Sequence, residues 1–280
     1  RFEAWPTRVP GLGNDDVVAA FDGLLEGEAM LVELALLGRE PLIVDLRAEL
    51  PGFWPRARRL SQPGVPSAVL ESVGYAYTLG AEFAQAVLRA HGWAGFDQAF
   101  LRPPLSTEQV LHPEKYLGDR PDRPQRVRLD VAKALPGYQL VEQNTIGELG
   151  LVTMFRQWGE RDHAWSIAAG WDGDRTQVFA RNDGAEVALV WRLVWDTPDD
   201  AASFGLALRQ RWRDEPSFAI ERRDAEIVVL RGVPRDDHEA VLEAAWRGRP
   251  RTVRRLATLV DRRALRRWRR EQRMRALQED

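Results

Sequence analysis

The chain has 280 residues, of which 44% are hydrophobic and 29% charged, a composition typical of a soluble globular protein. The net charge of −2 argues against a nucleic-acid-binding protein, and the absence of cysteine excludes disulfides, thiolate catalysis and cysteine-ligated zinc. No run of 18 apolar residues occurs, so no transmembrane segment is predicted. Because the first residue is arginine, we expect a processed chain or part of a longer one, with any signal peptide upstream.

The first predicted element is a long helix from Asn14 to Leu37, with Asn14 as its N-cap. Asp22, Glu26 and Glu33 share one face of this helix, because their spacing places them within about 40° of one another. Gly27 costs roughly 1 kcal/mol relative to alanine in a helix interior. Close approach of another helix at the level of Glu26 would explain why a glycine is tolerated there.

Residues 38–66 are rich in proline and glycine and are predicted to be mostly loop. A second helix opens at Ser67 and runs to about Ala90. Gly80 lies in its middle and again predicts a close helix contact. A shorter helix follows from Gly92 to Leu101.

A capping box opens the next helix, with Ser106 as N-cap and Gln109 three residues later. This short helix is predicted to end at His112, before Pro113. His112 is one of four histidines, and a histidine at a helix C-terminus is often simply a favourably placed charge. Residues 117–136 carry charges and several prolines, which indicates a linker to a second unit.

The second unit combines predicted hairpins and helices. Asn182-Asp183-Gly184 predicts a hairpin between strands at 176–181 and 186–195, and a second hairpin is predicted at 218–230. Helices are predicted at 147–158, 162–169, 198–212 and 236–246. We therefore predict an α+β protein: a mainly helical unit at 1–120, a small antiparallel sheet covered on one face at 137–247, and a basic helical tail at 248–280.

Asp172-Gly173-Asp174-Arg175 places two carboxylates around a glycine, which suggests calcium binding. The segment lacks the further carboxylates and the closing glutamate of an EF-hand loop. A turn leading into the Thr176 strand is the favoured interpretation.

Several short motifs occur in a fixed order along the chain. The first is Glu26-Gly27-Glu28-Ala29, which resembles the third-ligand helix of gluzincins. The others are Tyr77-x-x-Gly80-x-x-Phe83, Gly92-Trp93, the run from Pro103 to Tyr116, Ala169 to Arg175, and Trp195-Asp196-Thr197. Over residues 15–245 the chain resembles bacterial and archaeal metallopeptidase-like proteins related to the minimal gluzincins (minigluzincins).

The resemblance implies that Glu26 is a zinc ligand, joined by two histidines of an H-E-x-x-H helix whose glutamate is the general base. It also implies that His112 and Tyr116 stabilise the oxyanion of peptide-bond hydrolysis, while Asp22 and Glu33 orient the ligands. No H-E-x-x-H occurs in the sequence, so we expect that segment to lie upstream. Alone, the chain is expected to bind zinc poorly, because no two histidines are three to five residues apart.

Alternatives to a peptidase stay open. The chain is either a hydrolase acting on peptide or protein substrates, as the resemblance implies, or a non-catalytic binding or structural protein that keeps the scaffold. Residues 137–247 alone could also form an interaction module. Without the resemblance, Glu26 is a helix carboxylate neutralised by an arginine, and the arginine-rich tail is a solvated helix.

Overall fold

The computed structural model describes residues 13–39, 41, 67–184 and 186–254. The fold is α+β, as predicted. Two compact units are present: a helical unit whose described residues are 16–39, 41, 67–123 and 147–168, and a sheet unit whose described residues are 13–15, 124–146, 169–184 and 186–254. The helical unit thus includes residues 147–168, which the sequence analysis grouped with the sheet. Within the described residues, the structure contains no helix long and apolar enough to cross a membrane.

Seven helices are described in the helical unit, and their bounds follow the predicted pattern closely. They are α1 (Asp15–Leu36), α2 (Ser67–His91), α3 (Ala94–Leu101), α4 (Thr107–Leu111), α5 (Pro113–Leu117), α6 (Gly147–Gln157) and α7 (Ala164–Ala168). Helix α5 was not predicted, because Pro113 was interpreted only as the end of the preceding helix. Proline is also well suited to the first turn of a new helix, which is the place it takes here.

Helices α1 and α2 cross at their glycines, which confirms both predicted close contacts. A β-carbon added at Gly27 would collide with the carbonyl of Gly80, and one at Gly80 would collide with the backbone of Gly23. The crossing brings together a core of apolar side chains from α1, α2, α3 and α4. Its largest fully buried members are Leu24, Leu31 and Phe83.

The sheet unit is built on a five-stranded antiparallel sheet with strand order β2-β3-β4-β6-β5. These strands are β2 (Tyr138–Asn144), β3 (Trp171–Arg181), β4 (Val187–Trp195), β5 (Ala219–Arg223) and β6 (Glu226–Arg231). Two short strands, β1 (Gln125–Arg126) and β7 (Arg251–Thr252), form a separate ladder. The helices of this unit are α8 (Pro198–Arg211) and α9 (His238–Ala245). Both predicted hairpins are confirmed, whereas β1 and β2 were missed.

The sheet is covered on both faces, so the predicted one-sided cover was wrong. On one face, Trp191 and Trp195 pack against Phe204 of α8, with ring centroids 5.8 and 4.8 Å apart. On the other face, Val190 belongs to a core cluster that includes Val241 of α9. The four consecutive buried residues of β6, from Ile227 to Leu230, are typical of a strand covered on both sides.

The predicted linker at 117–136 is instead part of the sheet unit's core from Val127 onward. Val127, Leu129, Val131 and Leu135 are all buried. The first three alternate with charged residues, which is the period-two pattern of an extended segment with one buried face. Prolines and charges in the same stretch concealed this pattern.

Two further predictions needed correction. Asp172–Arg175 is not a turn, because β3 already begins at Trp171 and continues through it with a register shift between Trp171 and Gly173. The predicted helical tail begins with strand β7, and residues 255–280 of that tail lie outside the described residues.

Candidate functional site

A cluster of buried polar side chains lies in the helical unit, around the segment that opens α4. Ser106 caps α4 as predicted, since its hydroxyl accepts a hydrogen bond from the Gln109 backbone at 3.3 Å. The Gln109 side chain accepts one from the Leu105 backbone at 2.8 Å, so the reciprocal half of the capping box lies one residue earlier than expected. We call this set the polar cluster, and its buried members are Asp16, Ser106, Thr107, Glu108, Gln109 and Glu148.

His112 is paired with a carboxylate of the polar cluster. Its Nε2 lies 3.1 Å from Oε1 of Glu148, a residue in the first turn of α6. The Glu148 side chain is only 2% exposed, whereas the His112 side chain is 39% exposed. The arrangement therefore places an imidazole at the surface with a buried anion behind it.

The surroundings of His112 favour its charged form. The hydrogen bond with Glu148 raises the pKa of His112 above its ordinary value of 6.5, and the charges of Glu148 and Glu114 act in the same direction. Partial burial and the charge of Lys115 oppose this rise. Because the raising causes prevail, the ring carries a proton at higher pH than a free histidine does.

Glu148 depends on His112 for its compensation. Its second oxygen, Oε2, is buried and has no hydrogen-bond partner among the described residues. A buried carboxylate is costly unless it is paired or hydrogen-bonded. Since His112 is the partner on the other oxygen, the imidazolium and the carboxylate stabilise each other's charge.

A second buried carboxylate of the polar cluster is compensated by a lysine. Nζ of Lys115 lies 2.6 Å from Oε1 of Glu108 and 3.2 Å from the carboxylate of Asp122. Glu108 is 1% exposed and the Lys115 side chain 22% exposed. His112 directly precedes α5 and Lys115 lies within it, and each faces a buried carboxylate of the polar cluster.

Thr107 joins three helices of the same unit. Its hydroxyl donates to Oδ1 of Asp16 in α1 at 2.5 Å and accepts from the backbone of Leu149 in α6 at 3.1 Å. The Thr107 backbone also donates to Oδ1 of Asp16, at 2.8 Å. Glu26 lies in α1, His112 directly follows α4 and Glu148 lies in α6. The Thr107 hydroxyl therefore links the three helices on which these residues depend.

Tyr116 has contacts that fix it to the core of the helical unit. Its hydroxyl donates to the Arg102 carbonyl at 2.8 Å, and its ring packs edge-on against Phe83 with centroids 5.2 Å apart. Burial raises the pKa of Tyr116, which keeps the phenol protonated. These contacts explain the residue structurally, and its predicted role beside an oxyanion stays a prediction.

Glu26 is half-buried on α1, next to the glycine crossing. Its carboxylate accepts a hydrogen bond from the Tyr77 side chain on α2. Burial raises the pKa of Tyr77, and the charge of Glu26, this hydrogen bond and the charge of Asp22 raise it further. Glu33 is exposed. The expected arginine partner of Glu26 is thus a tyrosine in this structure.

The zinc-ligand role of Glu26 needs ligands from outside this sequence. Among the described residues, Glu26 belongs to no group of three or more side chains placed to hold a metal ion. A half-buried glutamate on a rigid helix is nevertheless a suitable donor for one position of a zinc site with two histidines and a water. The part of the chain that the structure describes therefore offers Glu26 as one ligand of a set, without the other ligands of a zinc site beside it.

Sequence reasoning found His112 but missed the residues that hold it. Glu148, Thr107 and Asp16 had no assigned role, since each looked like an ordinary first-turn residue of a helix. One signal was available for Glu148. It follows Gly147, whose φ of +76° marks a backbone position that favours glycine. A carboxylate fixed directly after such a position is held in a defined direction.

Residues 136–243 match the model of a domain family described as a domain of unknown function (DUF8575). The matched stretch contains Glu148 but neither Glu26 nor His112. No curated protein and no solved structure matches this chain.

Proposed function

We propose that the chain forms part of a gluzincin-like zinc metallopeptidase, in which Glu26 is a zinc ligand and His112 stabilises the oxyanion formed during peptide-bond hydrolysis. The observation that carries the proposal is the pair formed by His112 and Glu148. A partly exposed imidazole whose proton is held by a buried carboxylate is suited to donate a hydrogen bond to a developing negative charge. Zinc, when bound, would supply the activated water.

The electrostatics of the pair suit that role. The hydrogen bond with Glu148 and its charge raise the pKa of His112, which favours the imidazolium form before a substrate arrives. Nε2 faces Glu148, which leaves Nδ1 as the second donor of the ring. Nδ1 lies 3.9 Å from the exposed carboxylate of Glu114, which is too long for a hydrogen bond. This nitrogen is the one we assign to the substrate carbonyl oxygen.

The helix crossing supports the role of Glu26. Because Gly27 and Gly80 let the backbones of α1 and α2 touch, the adjacent Glu26 is carried on a segment packed directly against α2. Metal ligands gain affinity from such rigid placement and from a hydrogen bond that orients them. Tyr77 supplies that hydrogen bond.

The test is zinc analysis of the natural polypeptide that includes this chain, together with its Glu26→Gln and Tyr77→Phe variants. Glutamine keeps an acceptor for the Tyr77 hydroxyl but is a poor zinc ligand, whereas Tyr77→Phe keeps the carboxylate and removes the hydrogen bond. We expect about one zinc per chain in the wild type and in Tyr77→Phe. We expect zinc to be lost from Glu26→Gln.

Absence of zinc from the wild-type polypeptide, or retention of zinc by Glu26→Gln, would refute the metallopeptidase proposal. The chain would then be a binding or structural protein that keeps the helical scaffold. Reading the sequence encoded ahead of Arg1 is a cheaper first step, because the proposal requires an H-E-x-x-H segment there.

A further inference from the structure

Thr107 occupies an unusual position, since one hydroxyl satisfies buried groups on two other helices. Its Oγ1 is both a donor to Asp16 and an acceptor from Leu149. The residue is 1% exposed and Asp16 is 2% exposed, so water does not replace these bonds readily. A buried hydroxyl that bridges two elements is more costly to remove than an exposed one.

The two bonds act at the start of helices, where backbone groups lack partners within the helix. Leu149 is the third residue of α6, and its N–H is one of these unpaired donors. The Thr107 hydroxyl therefore caps α6 from outside. Thr107 is also the first residue of α4, and its own N–H is satisfied by Asp16.

The start of α6 packs so closely on Asp16 that no side chain fits at Gly147. A β-carbon at Gly147 would collide with the carboxylate of Asp16, and the φ of Gly147 is +76°. Glu148 lies between Gly147, which presses on Asp16, and Leu149, which is bound to Thr107. Both neighbours of Glu148 along the chain are thus fixed by the same two side chains.

We propose that Thr107 is a positioning residue: its hydroxyl, by bonding Asp16 and the first turn of α6 together, sets the placement of Glu148 against His112. The catalytic consequence of this placement rests on the function proposed above, whereas the placement itself does not. Thr107 touches neither His112 nor a substrate, and it acts through the α6 backbone.

The experiment is a proton NMR titration of the histidines in the whole chain, in wild type, Thr107→Val and Thr107→Ser. Only four histidines are present, so the His112 signal can be assigned by its loss from His112→Gln. Valine keeps the shape of threonine and removes the hydroxyl, whereas serine keeps the hydroxyl. We expect the pKa of His112 to fall toward 6.5 in Thr107→Val and to stay at the wild-type value in Thr107→Ser.

A second variant covers the case in which Thr107→Val does not fold. Asp16→Asn keeps an acceptor oxygen but removes the charge that strengthens both bonds from Thr107. We expect a smaller fall in the pKa of His112 there. Glu114 and Lys115, the other charged groups that act on His112, are unchanged in every variant.

An unchanged His112 titration in folded Thr107→Val, or in Asp16→Asn if valine does not fold, would overturn the proposal. The titration needs no zinc. A failure of the zinc experiment would contradict the role of Glu26, whereas a failure of the titration would contradict the positioning role of Thr107.

Discussion

Two buried carboxylates in this protein are compensated in opposite ways. Asp174, in the sheet unit, is surrounded by neutral donors. Trp171 and Trp191 each donate an indole N–H at 3.0 Å, one to each oxygen, and the Ile146 backbone donates to both oxygens at 3.0 and 3.1 Å. Glu148, in the helical unit, has a single titratable partner, His112, on one oxygen and no hydrogen-bond partner on the other among the described residues.

The difference contrasts a carboxylate bound by backbone and indole N–H groups with one that, in the proposed function, serves the chemistry. Two indole N–H groups and one backbone N–H bind the Asp174 carboxylate, so this network joins β3, β4 and the loop before α6. Glu148 is compensated by a titratable side chain, His112, which reaches the surface. A buried charge that lacks some of its hydrogen-bond partners lowers the stability of the fold, and such groups are commonest at functional sites.

The largest expected effect is at Asp174. Replacement by alanine leaves two buried indole N–H groups and the part-buried Ile146 N–H without this acceptor, and we expect a loss of roughly 3–5 kcal/mol in the free energy of unfolding. Urea unfolding measures this loss. Asp214→Ala, at a side chain that is 89% exposed, is the control and should change stability by less than about 0.5 kcal/mol. A loss below about 1 kcal/mol for Asp174→Ala would show that the network is not structural.

The next effect tests the rigid frame under Glu26. Gly27→Ala forces a β-carbon into the Gly80 carbonyl, and we expect a destabilisation of about 1–3 kcal/mol from overpacking. Gly205→Ala in α8 is the matched control. A β-carbon there meets only Ile227 and Ile220 side chains at 3.6 and 3.7 Å, so higher helix propensity should stabilise by up to about 1 kcal/mol. Equal effects at the two glycines would contradict the crossing as described.

The smallest effect on stability, and the most informative about function, is at Glu148. Because the folded-state pKa of His112 is raised, its pair with Glu148 stabilises the fold fully below the ordinary value of 6.5 and loses that contribution as pH rises through the folded-state pKa. Relative to Glu148→Gln, the wild type should therefore be less stable at about pH 8.5 than at about pH 5.5. Urea unfolding at both pH values measures this difference, and a difference independent of pH would mean that the pair does not titrate as described.

The sequence predicted local features well. The long helices, the Asn-Asp-Gly hairpin, the Ser106 cap and both glycine contacts follow from rules that act within a few residues, and all were found. The errors arose where several effects overlap in one stretch. The alternation of Val127, Leu129 and Val131 was hidden by charges and prolines, and Pro113 was read as a stop when it also starts α5.

The side-chain contacts of the candidate site could not be predicted from the sequence. A resemblance in the motif order singled out Glu26, His112 and Tyr116, but nothing in the sequence shows which side chain faces which. The pairing of His112 with Glu148 joins residues 36 positions apart, and that of Thr107 with Asp16 joins residues 91 apart. Periodicity and propensity are properties of neighbours along the chain and carry no information about such pairs.

The sequence by itself thus determined the α+β class, most element bounds and the glycines at which helices touch, because backbone sterics and side-chain period are local. Only the tertiary structure decided that the sheet is covered on both faces, that residues 147–168 pack with the helical unit and that a buried glutamate holds the proton of His112. These outcomes depend on which surfaces pack together in the folded chain and on how far water is excluded from the buried charges. Both are set by the folded chain as a whole.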